Sequence, residues 1–240
     1  MHWKKQMGSK KYMHLDDKTF KNDTYEALSS QFQGVKQFEE FYSNLKDDET
    51  KDNFLRIGTA YLFFVKCGDW HVSVERSNSV IEYFTNSFKL VSLLAIAESV
   101  NNKKHIDFFQ WLNKKKKKNL FPIENREILD KHYRAYKEEY GSIYSVKDFF
   151  NNLSQKTKDN LCKRVTVNGQ PIEYIEELIK LIYQVRSGFA HTVGHNLELS
   201  SCFHFGGTME KKIVWRKFRI EYLQEALEEG IVVHFSKKAK

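Results

Sequence analysis

The chain has 240 residues, of which 41% are hydrophobic and 15% aromatic. This composition supplies a core for one large domain and excludes a disordered chain. Two prolines and 11 glycines beside 39 lysines and arginines favour a mainly helical fold over a sandwich or barrel. The net charge of +8 suits an acidic partner such as nucleic acid.

The cysteines and the apolar runs bear on the compartment. Cys67, Cys162 and Cys202 are isolated and odd in number, which indicates a reducing compartment and argues against a disulfide framework. Residues 1–5 lack the apolar run of a signal peptide. The longest apolar run, residues 90–97, is far below the about 20 residues that a membrane span needs. We therefore expect a cytoplasmic protein with no membrane partner.

The first third of the chain is predicted to be an arm followed by two helices. Residues 1–31 are polar and lack sustained periodicity, which indicates a loosely docked N-terminal arm. Apolar residues at intervals of three and four then predict one amphipathic helix after Gly34 and another that ends at Gly68.

The segment 73–101 is the most apolar of the chain and predicts a helix in the centre of a bundle. Asn86 and Glu98 are polar residues within it. Glu98 has two interpretations. It either reaches solvent near the end of its helix or pairs with a buried arginine, because a buried guanidinium needs a partner.

A short amphipathic helix over residues 106–112 runs into five consecutive lysines: Lys114, Lys115, Lys116, Lys117 and Lys118. Such a run is typical of a solvated loop that its own charge keeps extended. If the protein binds RNA, the same run is the expected phosphate contact. A further helix is predicted between Pro122 and Gly141.

The most regular helical pattern leads to Arg186 and His191. Residues 165–170 alternate like a strand entering a turn, and Pro171 is expected to begin the helix. After Gly194 the pattern predicts a β-hairpin that contains the Gly206-Gly207 turn. A last short helix is expected to stop at Gly230, with one more strand over residues 231–235.

Tyr183, Arg186, Ser187 and His191 resemble the Tyr-x-x-Arg-Ser/Asn-x-x-x-His signature of HEPN-superfamily domains. Residues 83–100 also resemble an earlier core helix of abortive-infection-type HEPN proteins. The resemblance implies a helical, homodimeric, metal-independent endoribonuclease of a toxin or phage-defence system. It also implies a composite site made of Arg186 and His191 from two chains, and an antitoxin or other regulatory partner. Tyr183, Ser187, Glu98 and Asn86 are its expected supporting residues.

Arginine and histidine suit RNA cleavage by the 2′-hydroxyl of the substrate. The RNA supplies the nucleophile, so the protein has to move protons and stabilise charge on the phosphorane. Histidine and the planar guanidinium can do both without a cofactor. A spacing of five residues, however, separates the pair by about 140° around a straight helix. Either the helix loosens near Gly188, or Arg186 curls round, or each residue pairs with the other chain.

Two other functions stay open. His191 and His195 are four residues apart and could bind zinc if the helix continued through Gly194. The chain could also be a non-catalytic module that binds RNA, nucleotides or protein. We predict a HEPN-like helical bundle over residues 32–196, and a C-terminal hairpin and short helix over residues 197–240 that pack on it as an appendage.

Overall fold

A computed structural model describes residues 12–15, 17–69, 75, 78–101, 106–114, 125–192, 199, 203–207 and 212–239. The protein is mainly helical and carries a small antiparallel sheet, which confirms the predicted class. The helices are α1 (Lys18–Leu28), α2 (Val35–Ser43), α3 (Asp48–Tyr61), α4 (Asn78–Ser99), α5 (Phe108–Leu112), α6 (Arg126–Tyr140), α7 (Ser142–Asn151), α8 (Gln155–Cys162), α9 (Ile175–Thr192) and α10 (Ile220–Ser236). A 3₁₀ turn, Ser29–Gln31, follows α1, and a π-helical turn, Leu62–Lys66, follows α3.

Short polar side chains fix where several helices begin. Asp47 accepts a hydrogen bond from the Thr50 amide at 2.8 Å, and Asp107 accepts one from the Gln110 amide at the same distance. Each bond satisfies one of the amides that the first helical turn leaves without an intrahelical partner. Asp17, Asn125 and Ser154 cap α1, α6 and α8 in the same way.

Helix α1 lies within the segment that the sequence predicted to be a loose arm. Its Thr24, Ala27 and Leu28 are fully buried, and the Thr24 hydroxyl donates to the Leu55 carbonyl of α3 at 3.3 Å. The arm prediction is therefore wrong for residues 18–28. The buried face consists of three side chains, two of them small or polar, which is too few for a clear periodic signal.

Helix α4 lies at the centre of the bundle, as its all-round apolar sequence predicted. Leu93, Leu94, Ala97 and Val100 at its C-terminal end are completely buried. Residues Val80–Ser99 are long and apolar enough to cross a membrane, but 44% of that window is buried inside the protein. The buried part of this window belongs to the core of the bundle.

Helix α10 is longer and more central than the sequence indicated. It continues through Gly230 to Ser236, so the strand predicted over residues 231–235 is helical. A Cβ on Gly230 would lie 2.3 Å from Cζ of Phe149, so this glycine makes room for a ring of α7 and does not end a helix. Leu223, Ile231 and Phe235 of α10 are completely buried. Residues 220–236 are thus part of one core with the bundle and are not an appendage.

The strands form one antiparallel sheet from two distant parts of the chain. They are β1 (Val165–Val167), β2 (Gln170–Pro171), β3 (Phe203–Gly207) and β4 (Lys212–Arg216), in the order β2-β1-β4-β3. Asn168 and Gly169, with φ of 52° and 82°, make the tight turn between β1 and β2. The predicted β3–β4 hairpin is present, but Gly206 and Gly207 are paired residues of β3 and are not its turn. Strand β1 pairs with the hairpin through Val165 opposite Trp215.

Candidate functional site

Helix α9 carries the four motif residues and is unbroken from Ile175 to Thr192. It begins four residues later than predicted, because Pro171 belongs to β2. Leu178, Ile179 and Ile182 are completely buried. The apolar face of α9 is therefore used within the chain, against α4, α7 and α8.

Arg186 and His191 do not converge within one chain. Because α9 stays α-helical through Gly188, the two residues are about 140° apart around its axis. Arg186 is half-buried, whereas His191 is exposed. Of the three predicted solutions, the loosened helix near Gly188 is thus wrong.

Tyr183 is the described neighbour of Arg186. The Arg186 guanidinium donates from Nη1 to the Tyr183 hydroxyl at 3.5 Å, and its Cζ lies 5.3 Å from the ring centroid. Arg186 Nε is buried and has no hydrogen-bond partner. A buried N–H without an acceptor costs free energy, so this guanidinium is under-satisfied in the single chain.

Glu98 of α4 also interacts with Tyr183. Burial raises the pKa of Tyr183, the Glu98 carboxylate raises it further, and the Ser142 hydroxyl and Arg186 oppose the shift. Glu98 is partly buried, and its Oε1 is buried without a hydrogen-bond partner. Glu98 and Arg186, both described, form no ion pair in the single chain, and each interacts with Tyr183 instead.

Of the other two expected supporting residues, Ser187 lies near Arg186 and Asn86 does not. Ser187 follows Arg186 on α9 and is half-buried. Asn86 lies twelve positions before Glu98 on one continuous helix, which separates them by about 18 Å along its axis. Asn86 lines a different cleft, together with Lys66 and Lys89, and does not belong to the Arg186 site. Periodicity placed both residues on α4 but did not show which end of α4 faces α9.

Of the lysine run, Lys114 is described and exposed. Its ammonium donates to the Tyr140 hydroxyl and lies 3.9 Å from Glu139. Lys115, Lys116, Lys117 and Lys118 lie outside the described residues. Lys114 therefore contacts α6.

The proposed metal alternative is only partly within the described residues. His191 is the last but one residue of α9, and His195 lies outside the described part. Among the described residues, no group of three histidine, cysteine, aspartate or glutamate side chains is placed to hold a metal ion.

Sequence reasoning missed a buried polar network around Glu228 of α10. Glu228 is 5% exposed and accepts hydrogen bonds from the Tyr61 hydroxyl at 2.6 Å, from the Lys66 ammonium at 3.0 Å and from the Ser30 hydroxyl. Burial and this carboxylate raise the pKa of Tyr61 far above its ordinary value. One signal was available, since Glu228 falls between Leu227 and Ile231 on the apolar face of its helix.

Exposed apolar side chains mark the surface beside α9. Val80, Phe84 and Phe88 repeat every four residues on α4 and are 42%, 46% and 39% exposed. The Phe88 ring contacts Phe189 of α9 at a centroid distance of 5.2 Å. We call Val80, Phe84 and Phe88 the α4 stripe.

Comparison with protein-family models gives no match to this chain, and comparisons with curated proteins and with solved structures give none either. The class that the fold defines is a helical bundle with a small antiparallel sheet.

Proposed function

We propose that the protein is a cytoplasmic, metal-independent endoribonuclease of the HEPN type whose site forms between two copies of the chain. The observation that carries the proposal is the under-satisfied Arg186, half-buried beside Tyr183 on the helix that exposes His191. A cation with an unused buried donor is suited to bind an oxyanion, and a phosphorane is one. The toxin or defence role and an antitoxin partner belong to the same proposal.

The unbroken helix favours a site that is completed by a second copy. Within one chain Arg186 and His191 lie about 140° apart around the axis of α9, and one phosphate could touch both only if the Arg186 side chain curled round. Two α9 helices related by a two-fold axis would bring Arg186 of one chain toward His191 of the other. Phe88 of the α4 stripe contacts α9, and the stripe supplies exposed apolar surface of the kind that interfaces bury.

Mixing two inactive variants tests this arrangement. Arg186→Ala and His191→Ala should each lose RNA cleavage, by about 10²–10⁴-fold for the loss of acid–base catalysis. The two variants are mixed in equal amounts, unfolded and refolded together. Half of the resulting dimers are then mixed, and each mixed dimer has one complete site where a wild-type dimer has two, so about a quarter of the wild-type rate should return. No recovery from mixed dimers confirmed by differential tagging would show that the site is not shared.

The chemistry is tested on the substrate. A single 2′-deoxy nucleotide at the cut position should block cleavage but leave binding unchanged, because phosphate contacts dominate affinity. Activity should survive excess chelator, and products should end in a 2′,3′-cyclic phosphate and a 5′-hydroxyl. Inhibition by chelator that zinc reverses would favour the His191/His195 site instead.

The second candidate is a non-catalytic module that binds RNA or nucleotides. The 140° separation of Arg186 and His191 favours it if the chain is a monomer. RNA binding without cleavage of any RNA, by a protein that stays monomeric at micromolar concentration, would establish this function.

A further inference from the structure

A second polar site lies between the N-terminal half of α4, the segment after the π-helical turn and the start of α10. Its described lining encloses a cleft of about 710 Å³, within the range of small-molecule sites. The polar side chains that matter are Lys66, Asp69, Thr85, Asn86 and Lys89. Arg186 and His191 are not among its lining residues.

Thr85 is a buried polar side chain of the cleft whose hydrogen-bonding capacity is unused. The residue is 5% exposed, and its hydroxyl is buried without a hydrogen-bond partner. A helical threonine commonly donates to the carbonyl one turn earlier, as Ser87 does to Tyr83 at 2.9 Å. Thr85 does not, so a turn of its side chain toward the cleft would offer both its donor and its acceptor to a molecule there.

Lys89 lies one turn after Thr85 on the same face of α4. Its side chain is 12% exposed, and its ammonium contacts Asp69 at 3.1 Å. The Asp69 side chain is 77% exposed, so this ion pair is solvent-screened and easily exchanged. Asp69 thus occupies the place where a bound anion would lie. Asn86, which is 4% exposed, also lines the cleft and lies between Thr85 and Lys89 in the sequence.

Lys66 does not add a second available cation. Its ammonium already contacts the Ala27 carbonyl at 2.7 Å, Glu228 at 3.0 Å and the Glu26 carbonyl at 3.5 Å, which uses its three donors. Among the described lining residues, the available positive charge is therefore that of Lys89, which suits one phosphate group and not a chain of them.

The remaining lining defines the rest of the ligand. Glu82 and Glu221 are exposed carboxylates, which accept hydrogen bonds from hydroxyl or amino groups and repel additional phosphates. Ile81 and the buried Ile220 offer apolar contact for a ring.

We infer that this cleft binds a nucleoside monophosphate. The phosphate replaces Asp69 as the partner of the Lys89 ammonium and accepts a hydrogen bond from the Thr85 hydroxyl. The sugar hydroxyls face Glu82 and Glu221, and the base lies on Ile81 and Ile220. This assignment uses no residue of the proposed nuclease site, and it holds whether or not the protein cleaves RNA.

Calorimetric titration of the full chain with AMP tests the assignment, with ATP, adenosine and inorganic phosphate as comparisons. AMP should bind, and each comparison compound should bind about tenfold or more weakly, the equivalent of one charge-assisted hydrogen bond. Thr85→Val and Lys89→Met should weaken AMP binding by about tenfold each. Lys147→Met, which changes a lysine of α7 in a separate cleft, should leave AMP affinity unchanged.

Thr85→Val also separates binding from folding. Because the hydroxyl has no partner in the ligand-free chain, the variant should melt at the wild-type temperature or above it, while AMP no longer raises that temperature. No binding of AMP by the wild-type protein, equal binding of adenosine and AMP, or full binding by both variants would overturn the assignment.

Discussion

At the scale of single residues, Tyr183 is the organising side chain of the candidate site. It interacts with both Glu98 and Arg186, and each of those two groups retains a buried atom without a partner. The sequence identified all three residues and left a direct Glu98–Arg186 pair as one of two interpretations of Glu98. Periodicity assigns a residue to a face of a helix, but it does not reveal which side chain that residue contacts.

The first prediction concerns the stability cost of Arg186. Because its Nε has no partner and its bond to Tyr183 is long, Arg186→Met should change the free energy of unfolding by less than about 1 kcal/mol, or increase it. Chemical denaturation of both proteins in the monomeric state measures the difference. A loss of about 3 kcal/mol would mean that the guanidinium is paired in solution.

The second prediction is an acid sensitivity that His234 causes. Burial, with Lys238 and Lys237 nearby, lowers the pKa of His234 from 6.5 to about 4, and Asp148 opposes the shift. Since the unfolded chain takes up this proton first, the stability is fully present above about pH 6.5 and is lost as the pH falls toward 4. After a discount for partial exposure, the loss is about 1–2 kcal/mol.

His234→Phe is the matched variant, because it keeps a ring beside Phe235 and removes the titrating group. Denaturant unfolding at pH 7.5 and pH 5 should show a smaller loss of stability for the variant than for the wild-type protein. Equal losses would assign the acid sensitivity to titrating groups other than His234.

At the scale of elements, the sequence was informative where an element shows its own period. Helices α4 and α9 are long and apolar, and the turn at Asn168-Gly169 has a local signal. It failed where packing decides the outcome. Gly230 indicates a helix end in the sequence, but the Phe149 ring occupies the space of its missing Cβ, and the neighbouring side chains keep α10 helical. The β1–β4 pairing is non-local and leaves no sequence signal of its own.

The third prediction contrasts two helical glycines. Gly230→Ala should destabilise the protein by about 1–3 kcal/mol, because the added methyl would lie 2.3 Å from a buried ring atom. Gly188→Ala should stabilise it by about 1 kcal/mol, since no described atom lies within 4 Å of the new methyl and alanine is the better helix former. Thermal or denaturant unfolding of both variants measures whether each substitution lowers or raises the free energy of unfolding. A destabilising Gly188→Ala would show that something packs closely on that face of α9.

At the scale of the whole molecule, the α4 stripe is one of the exposed apolar surfaces of the described residues. Leu178, Ile179 and Ile182 of α9 are buried within the chain and are not available to a partner. The stripe is exposed, and its Phe88 contacts Phe189 of α9, so we expect a composite site to cover it.

The fourth prediction is that Phe84→Glu produces a monomer and abolishes cleavage. Phe84 is 46% exposed, so the charge does not disturb the fold, but burying it in an apolar interface costs several kilocalories per mole. Phe109→Glu is the control, because Phe109 is 66% exposed on α5 and lies outside the α4 stripe. This variant should remain dimeric and active. Light scattering coupled to size-exclusion chromatography measures the mass of each. A wild-type protein that is already monomeric, or an unchanged Phe84 variant, would contradict the shared site.

The central position of α10 also sets when the molecule can fold during its synthesis. Leu223, Ile231 and Phe235 fill the middle of the core, and the Phe235 ring meets Phe54 of α3 at 5.1 Å. A growing chain that has emerged only as far as α9 therefore has the motif helix but a core with an open side. Ribosome-bound intermediates should stay sensitive to protease until α10 emerges, and a candidate nuclease of this design is not assembled before that helix has left the ribosome.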